Sequence, residues 1–450
     1  MRGRRSKRNT NNTNFYNCLR IISKFLIILI AICLIIFIVS SIKVKNKSKI
    51  SKNQNDAITQ SDDLNQTLKI EQNNTNSKEN TATNSMENET IQSAQNTLPD
   101  SKQEQDTTIT MALTGDIMCH NTIYNDAKIN DTYDFSYIFE NVKYYLQTPD
   151  ITVGNLETTF AGSKKGYSSY PTFNTPENLA YTLKKLGFDV LSTANNHCYD
   201  SGYDGIESTI NYLDDADISH TGTYKSAEEQ NTILVKNVKG LKIAFLSFTY
   251  GTNGIKVPES KSYSVNLISE DLIKKQLELA KEQEPDIIFV SMHWGIEYQT
   301  TPNQEQKKWA DFLFENGADI IIGNHPHVIQ PMEKREITLQ DGSVKDGFVV
   351  YSLGNFIADQ NKTYTRDTAI LNLKITKSKK QNLKIDSATY TPVYTYKNPN
   401  VKQQKFKLID LKNVIASFDA GYDTTIGNTL YNTFKTELNN VKKLLGEEIR

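Results

Sequence analysis

Apolar and polar positions follow three different rhythms along this chain. Phe25 to Val39 is an unbroken run of 15 apolar residues. With Ile21, Ile22 and Ile42 at its ends and Lys24 able to snorkel, it reaches the roughly 20 residues a membrane-spanning helix needs. From Lys43 to Asp106 the pattern dissolves into 64 residues without a single Phe, Tyr, Trp or Gly. Such a segment, rich in Asn, Gln, Ser, Thr, Lys and Glu, cannot bury enough apolar surface to offset its ordering entropy and reads as a disordered stalk. From Thr107 onward, short apolar runs alternate with amphipathic ones, as in a folded α/β protein.

Beyond Thr107 the same order of elements recurs. Thr175-Pro176-Glu177 predicts a helix start, Leu179, Leu183 and Leu186 keep one face apolar, and Gly187 ends it. The strand VLSTA then runs into Asn195-Asn196-His197. Leu272 to Gln283 predicts a second helix, followed by IIFVS and Met292-His293-Trp294-Gly295. Trp309 to Asn316 predicts a third, followed by III and Gly323-Asn324-His325-Pro326-His327. Three more strands end in comparable clusters: Ile109–Thr114 at Gly115-Asp116, Ile151–Val153 at Gly154-Asn155-Leu156-Glu157, and Phe348–Ser352 at Leu353-Gly354-Asn355. Strands this uniformly apolar are buried on both faces, as in an α/β sheet covered by helices. Ala369–Ile375 and Leu383–Val393 read as further strands and Thr429–Leu445 as an amphipathic helix. The organisation expected is a basic tail (1–20), a transmembrane signal anchor (21–42), a disordered linker (43–106), an α/β domain (107–395) and a C-terminal helical extension (396–450).

Charge sharpens this division. The whole chain carries a formal net charge of −1, yet residues 1–52 hold 12 Lys or Arg and no acid, and residues 53–106 hold 3 Lys against 10 acids. Those two stretches sum to +5, so the remaining residues sum to −6. The absence of a basic excess argues against a nucleic-acid partner. Basic residues flank the apolar run on both sides, with the larger share before it, which favours an inside N-terminus. The expected location is therefore the cell membrane, single-pass, with the C-terminal domain extracellular.

Ligands of open α/β sheets bind beyond the carboxyl ends of the strands, and five of the six histidines fall in the strand-end clusters: His120, His197, His293, His325 and His327. With Asn196, Asp116 and Glu157 they supply the N and O donors that Zn, Mn or Fe sites use. An H-x-H loop in extended conformation would set two imidazoles on one side. The competing reading of the same residues is a structural polar network. His220 lies outside the clusters and is expected to be structural. Cys119 and Cys198 are either small buried fillers or a redox-sensitive pair.

Six ordered motifs carry a resemblance: GDIM (115–118), GNLE (154–157), ANNH (194–197), HWGIEY (293–298), GNHPHV (323–328) and YSLGNF (351–356). Over residues 107–360 the chain resembles the capsule-synthesis protein CapA family, associated with synthesis and export of poly-γ-glutamate. The resemblance implies a calcineurin-like metallophosphoesterase-type sandwich of two β-sheets flanked by helices. It also implies a metal-dependent hydrolase or transferase site holding one or two divalent transition metals (Mn, Zn or Fe), or alternatively a non-catalytic polymer-binding or scaffolding subunit. Its implied partners are the membrane, an anionic polymer such as poly-γ-glutamate and other subunits of a capsule synthesis complex. The implied metal ligands are Asp116, Asn155, Glu157, Asn196, His293, His325 and His327, with His197 and Glu157 catalytic and Glu297, Ser352 and Asn355 as further motif positions. Two departures from the phosphoesterase pattern stand out. No histidine follows Asp116 at the D-x-H position, which His120 could fill instead, and Asn155 replaces a metal-bridging aspartate. The position formed by Asn196, His293 and His325 thus looks intact, while that of Asp116 and His327 is one ligand short.

Overall fold

The computed structural model describes residues 106–338, 342, 344–378 and 383–450. The basic tail, the apolar run and the polar linker expected before residue 106 lie outside the described residues.

The strands, in chain order, are β1 (Thr107–Ile117), the short hairpin β2 and β3 (Lys128–Ile129, Thr132–Tyr133), β4 (Ile151–Leu156), β5 (Val190–Ser192) and β6 (Ser219–Thr221). Then come β7 (Leu234–Val238), β8 (Leu241–Thr249), β9 (Ile287–His293), β10 (Ile320–Asn324), β11 (Ile329–Thr338) and β12 (Val344–Leu353). Last are β13 (Asn355–Ile357), β14 (Asp367–Lys377), β15 (Leu383–Lys397) and β16 (Phe406–Asp410). One sheet has the order β16-β15-β14-β1-β4-β5-β6, with β13 also pairing β1; the other has the order β11-β12-β10-β9-β8-β7. Both centres are parallel: β1-β4-β5-β6 in the first, β8-β9-β10-β12 in the second.

Side-chain alternation explains why two sheets form. Ile109, Met111 and Leu113 of β1 share one core with Ile243, Phe245, Ile287, Phe289, Ile320, Ile322, Phe348 and Val350 of the other sheet. The intervening residues Ala244, Leu246, Ile288, Val290, Ile321 and Val349 turn outward. There they meet the helices Glu270–Lys281 and Gln304–Glu315, which bury Ile273, Leu277, Ala310 and Leu313. The helix Asn178–Lys185 covers the outer face of the first sheet with Leu179 and Leu183. Period-2 strands buried on both faces therefore produce helix, sheet, sheet and helix layers, a mixed α/β fold.

Several element ends differ from the sequence reading. The first predicted helix starts at Asn178 rather than at the Thr175 cap, because the Thr175 hydroxyl bonds that of Thr158 at 2.7 Å and its N–H donates to Thr159 O. The third begins at Gln304, ahead of Trp309, through a capping box between Asn303 and Gln306. β16 continues the first sheet beyond residue 395, and the helix Asn428–Leu445 places Phe434, Val441 and Leu445 in the inter-sheet core. Burying each of those three contributes about 1.5–3 kcal/mol.

Candidate metal centre

The parallel strands of both sheets deliver their carboxyl ends to one place. Asp116 near the end of β1 sits in register with Asn155 of β4 and Asn355 of β13. Its N–H donates to Gly354 O at 2.9 Å. The two backbones cross so closely that a Cβ on Gly115 would lie 1.9 Å from that carbonyl oxygen. From the other sheet, His293 ends β9 in register with Asn324 of β10, and the H-x-H pair follows immediately. That loop is not extended, as its spacing suggested. His325 and His327 have φ of +97° and +58°, a left-handed backbone that non-glycine residues adopt at some cost and that is characteristic of over-determined functional sites. The turn leaves the two ring centroids 5.8 Å apart.

Glu157 lies at the centre of this group. Its Oε1 is 3.5 Å from His293 Nε2 and 3.8 Å from His327 Nε2. Fully buried, it has no hydrogen-bond donor on either oxygen, and His325 Nδ1 is likewise buried without a partner. Around it, His327 Nδ1 donates to Asp116 Oδ2 at 3.1 Å and His293 Nε2 donates to the Asn196 carbonyl oxygen at 2.8 Å. Asn155 is turned away from the ligand role: its amide donates to Asp116 Oδ1 at 2.9 Å, and its carbonyl oxygen accepts from Ser192 Oγ at 2.9 Å.

Charge within the group is unevenly compensated. Burial, reinforced by the Asp116 carboxylate, holds the Glu157 carboxyl well above its ordinary range. Burial also raises Asp116, but the hydrogen bond and charge of His327 outweigh it and leave that carboxyl below its usual value. His327 moves the other way from burial, up to about 9, because Glu157 and Asp116 both favour its cation. Burial drives His293 down to about 3 and His325 well below its usual value, so both are neutral imidazoles with lone pairs to offer.

An unpartnered buried carboxyl group among imidazoles, two of them neutral, is the donor chemistry of a divalent transition-metal site. Two overlapping groups have ligand atoms within 4.8 Å of one another, Glu157 with His325 and His327, and Asp116 with Glu157 and His293. Glu157 belongs to both. The residues present therefore fit one or two ions.

Other predicted positions take different roles. His197 is buried beside the group, and its Nδ1 donates to Asp200 Oδ2 at 2.7 Å. The Asp200 carboxylate also accepts from the Phe173 N–H at 2.6 Å. Asp200 escaped the sequence reading, although a carboxylate three residues after a candidate histidine was the available signal. Asn253, whose amide reaches His197 Nδ1 at 3.4 Å and whose carbonyl oxygen accepts from Asn196 at 3.1 Å, was also missed. So was Tyr250, whose ring centroid is 4.6 Å from that of His325. Both follow β8, an apolar run ending in the polar sequence TYGTNG. His120 does not replace the missing D-x-H histidine: its Nδ1 accepts from the Asp359 N–H at 3.2 Å, and its ring packs edge-on against Phe173. Glu297 is exposed at the rim. Ser352 Oγ accepts from Gly354 N–H, and the Asn355 amide donates to Thr365 O and Gln360 Oε1, so both brace the β12–β13 turn. His220 pairs with Asp214 at 3.3 Å. Cys119 and Cys198 are free and buried in separate apolar clusters, and burial raises both thiols, Cys198 to about 12.

The chain is 33% identical over 280 residues to the capsule biosynthesis protein CapA of Bacillus anthracis, covering 60% of this chain and 64% of that one. It is 30% identical over 283 residues to the PGA biosynthesis protein CapA of Bacillus subtilis, covering 62% and 71%. The chain thus spans a little under two thirds of the first of these relatives. Among solved structures, the NAD nucleotidase of Haemophilus influenzae aligns with a TM-score of 0.40 at 13% identity, covering 76% of this chain and 61% of that one. The model of the bacterial capsule synthesis protein family PGA_cap matches residues 110–360, more than half of the sequence, and the chain belongs to that family.

Proposed function

We propose that this protein is a membrane-anchored component of capsule or poly-γ-glutamate synthesis or export, facing outward from a single N-terminal span. Its strand-end cleft is proposed to be a metal-dependent hydrolase or transferase site acting on the polymer or its activated ends. The observation that carries the enzymatic reading is Glu157, a fully buried carboxylate without a donor and shared by two candidate ligand groups. A Mn, Zn or Fe ion held by Glu157 with Asp116, His293, His325 and His327 would supply Lewis-acid charge at the reacting oxygens. Asn196 is bonded to His293 and fixes its ring. Asp200 holds Nδ1 of His197 at 2.7 Å, which leaves Nε2 as the nitrogen that gives or takes a proton at a leaving oxygen. Tyr250 and Tyr298, both partly exposed, set their rings against His325 and His327 on the solvent side of the group.

A non-catalytic, polymer-holding role is favoured by one observation, the Asn155 amide committed to Asp116 and Ser192 where the phosphoesterase pattern has a bridging aspartate. Metal analysis of the full-length protein, combined with turnover of a simple phosphodiester, separates the two. The enzymatic reading expects stoichiometric transition metal, activity lost on chelation and restored by Mn, and both lost in Glu157→Gln. A metal-free wild type whose polymer production is unaffected by His293→Ala would overturn it.

A further inference from the structure

Away from the cleft, a second buried acid lacks a partner. Asp367, the first residue of β14, is 1% exposed, and neither carboxylate oxygen meets a hydrogen-bond donor. It lines a cavity of about 420 Å³ together with Glu437 and Asn440 of the helix Asn428–Leu445 and the tyrosines Tyr364 and Tyr394. Asn440 donates its amide to Glu437 Oε2 at 2.7 Å, so its carbonyl oxygen remains available. Two cationic side chains also line the cavity, but both are engaged elsewhere. Arg366 bonds Asn361 Oδ1 at 2.9 Å and pairs with Asp359 at 3.5 Å, while the Lys362 ammonium lies 5.8 Å over the Tyr298 ring. Among the described residues, no ion pair neutralises Asp367.

Two adjacent carboxylates facing a cavity need a positive charge between them. A shared proton would serve, yet it requires no space, whereas a cavity of this size accommodates a cation that keeps some of its water. The donors are all oxygen, unlike the imidazole-rich centre, and oxygen-only sets select hard cations. We propose that Asp367, Glu437 and Asn440 form a Ca²⁺-class binding site that clamps the C-terminal helix onto the start of β14. Burial, and then the neighbouring Glu437 charge, hold the ion-free Asp367 carboxyl well above the ordinary range, so the cation displaces a proton. Both ends of the site lie beyond the residues matched by the family model, which end at 360.

The test uses Tb³⁺ as the probe on full-length protein, because the two lining tyrosines can sensitise its emission. The clamp predicts saturable emission displaced by Ca²⁺, weakened at least tenfold in both Asp367→Asn and Glu437→Gln, with transition-metal content unchanged. It also predicts a Ca²⁺-dependent rise in Tm that both variants lose. Glu437 is only half-buried, so its variant reports even where Asp367→Asn fails to fold. Tb³⁺ and Ca²⁺ binding unchanged in Glu437→Gln would overturn the proposal. So would a wild type indifferent to Ca²⁺ and a more stable Asp367→Asn, the signature of a shared proton alone.

Discussion

Replacing Glu157 by Gln separates a metal ligand from a structural acid. In the ion-free cleft, one imidazolium, that of His327, faces two carboxyl groups, Asp116 at 3.1 Å and Glu157 at 3.8 Å. The hydrogen bond goes to Asp116, and Glu157 is left buried with no donor on either oxygen. A buried, unsatisfied polar group costs about 1–3 kcal/mol, and more when charged. Gln keeps the shape and needs neither a buried charge nor the proton uptake on folding that the raised Glu157 carboxyl requires, so metal-free Glu157→Gln should be more stable than metal-free wild type by about 1–3 kcal/mol. In a folded region of this size that is roughly 2–5 °C in Tm, scaled down from values for smaller domains. Metal reverses the order. At one hundred times Kd, a ligand adds about 2.7 kcal/mol to the native state, and wild type should gain this while the variant gains less than a third of it. Scanning calorimetry of both proteins, with chelator and with saturating Mn²⁺ or Zn²⁺, reads all four states. The reasoning is refuted if metal-free Glu157→Gln is the less stable protein and both respond equally to metal.

Further outcomes are expected elsewhere. Asp200→Asn should lower kcat on a phosphodiester by about 10²-fold or more while leaving metal content intact, because it weakens the partner of His197 Nδ1 and touches no proposed metal ligand; a loss of bound metal would contradict that assignment. Gly323→Ala should cost at least about 3 kcal/mol by denaturant unfolding, since its Cβ would fall 1.9 Å from Tyr351 O and force β10 and β12 apart. In chelator, stability should fall as pH rises above 3.8, the ordinary Asp367 value, because the folded state retains its proton while the unfolded chain releases it. The slope for one proton is at most about 1.4 kcal/mol per pH unit. Asp367→Asn should flatten the urea-midpoint profile over this range, and an unchanged profile would mean that Arg366 and Lys362 already balance the charge.

Much of the layer plan was legible in the sequence. Runs such as IIFVS are apolar at every position because both faces of a central parallel strand are covered, and the polar clusters that end them mark a common edge. Helix starts were less legible, because Thr175, an ideal cap by residue type, spends its hydroxyl on Thr158 instead. The histidines of the centre could be named because strand ends concentrate them. The central place of Glu157 could not, since it depends on β4 of one sheet facing β9 and the H-x-H loop of the other. Nor does spacing reveal that His325 and His327 converge through a left-handed turn, because positive φ is typical of glycine rather than histidine. Asp200 lay within reach of a local rule, whereas Asn253 and Tyr250 required recognising β8 as another strand of the same edge.

The position of β1 also bears on how the protein is made. β1 pairs with β4, reached soon after it in the chain, and with β14, which begins only at Asp367. Until that strand emerges, one side of β1 carries unpaired N–H and C=O groups beside apolar side chains, the kind of edge that recruits other chains. The second sheet, drawn from Leu234–Leu353, is synthesised entirely within this interval. A ribosome stall or a truncation before residue 367 therefore leaves every proposed transition-metal ligand already synthesised on an incomplete first sheet. Such a product should be cleared or aggregate rather than persist as a smaller folded protein.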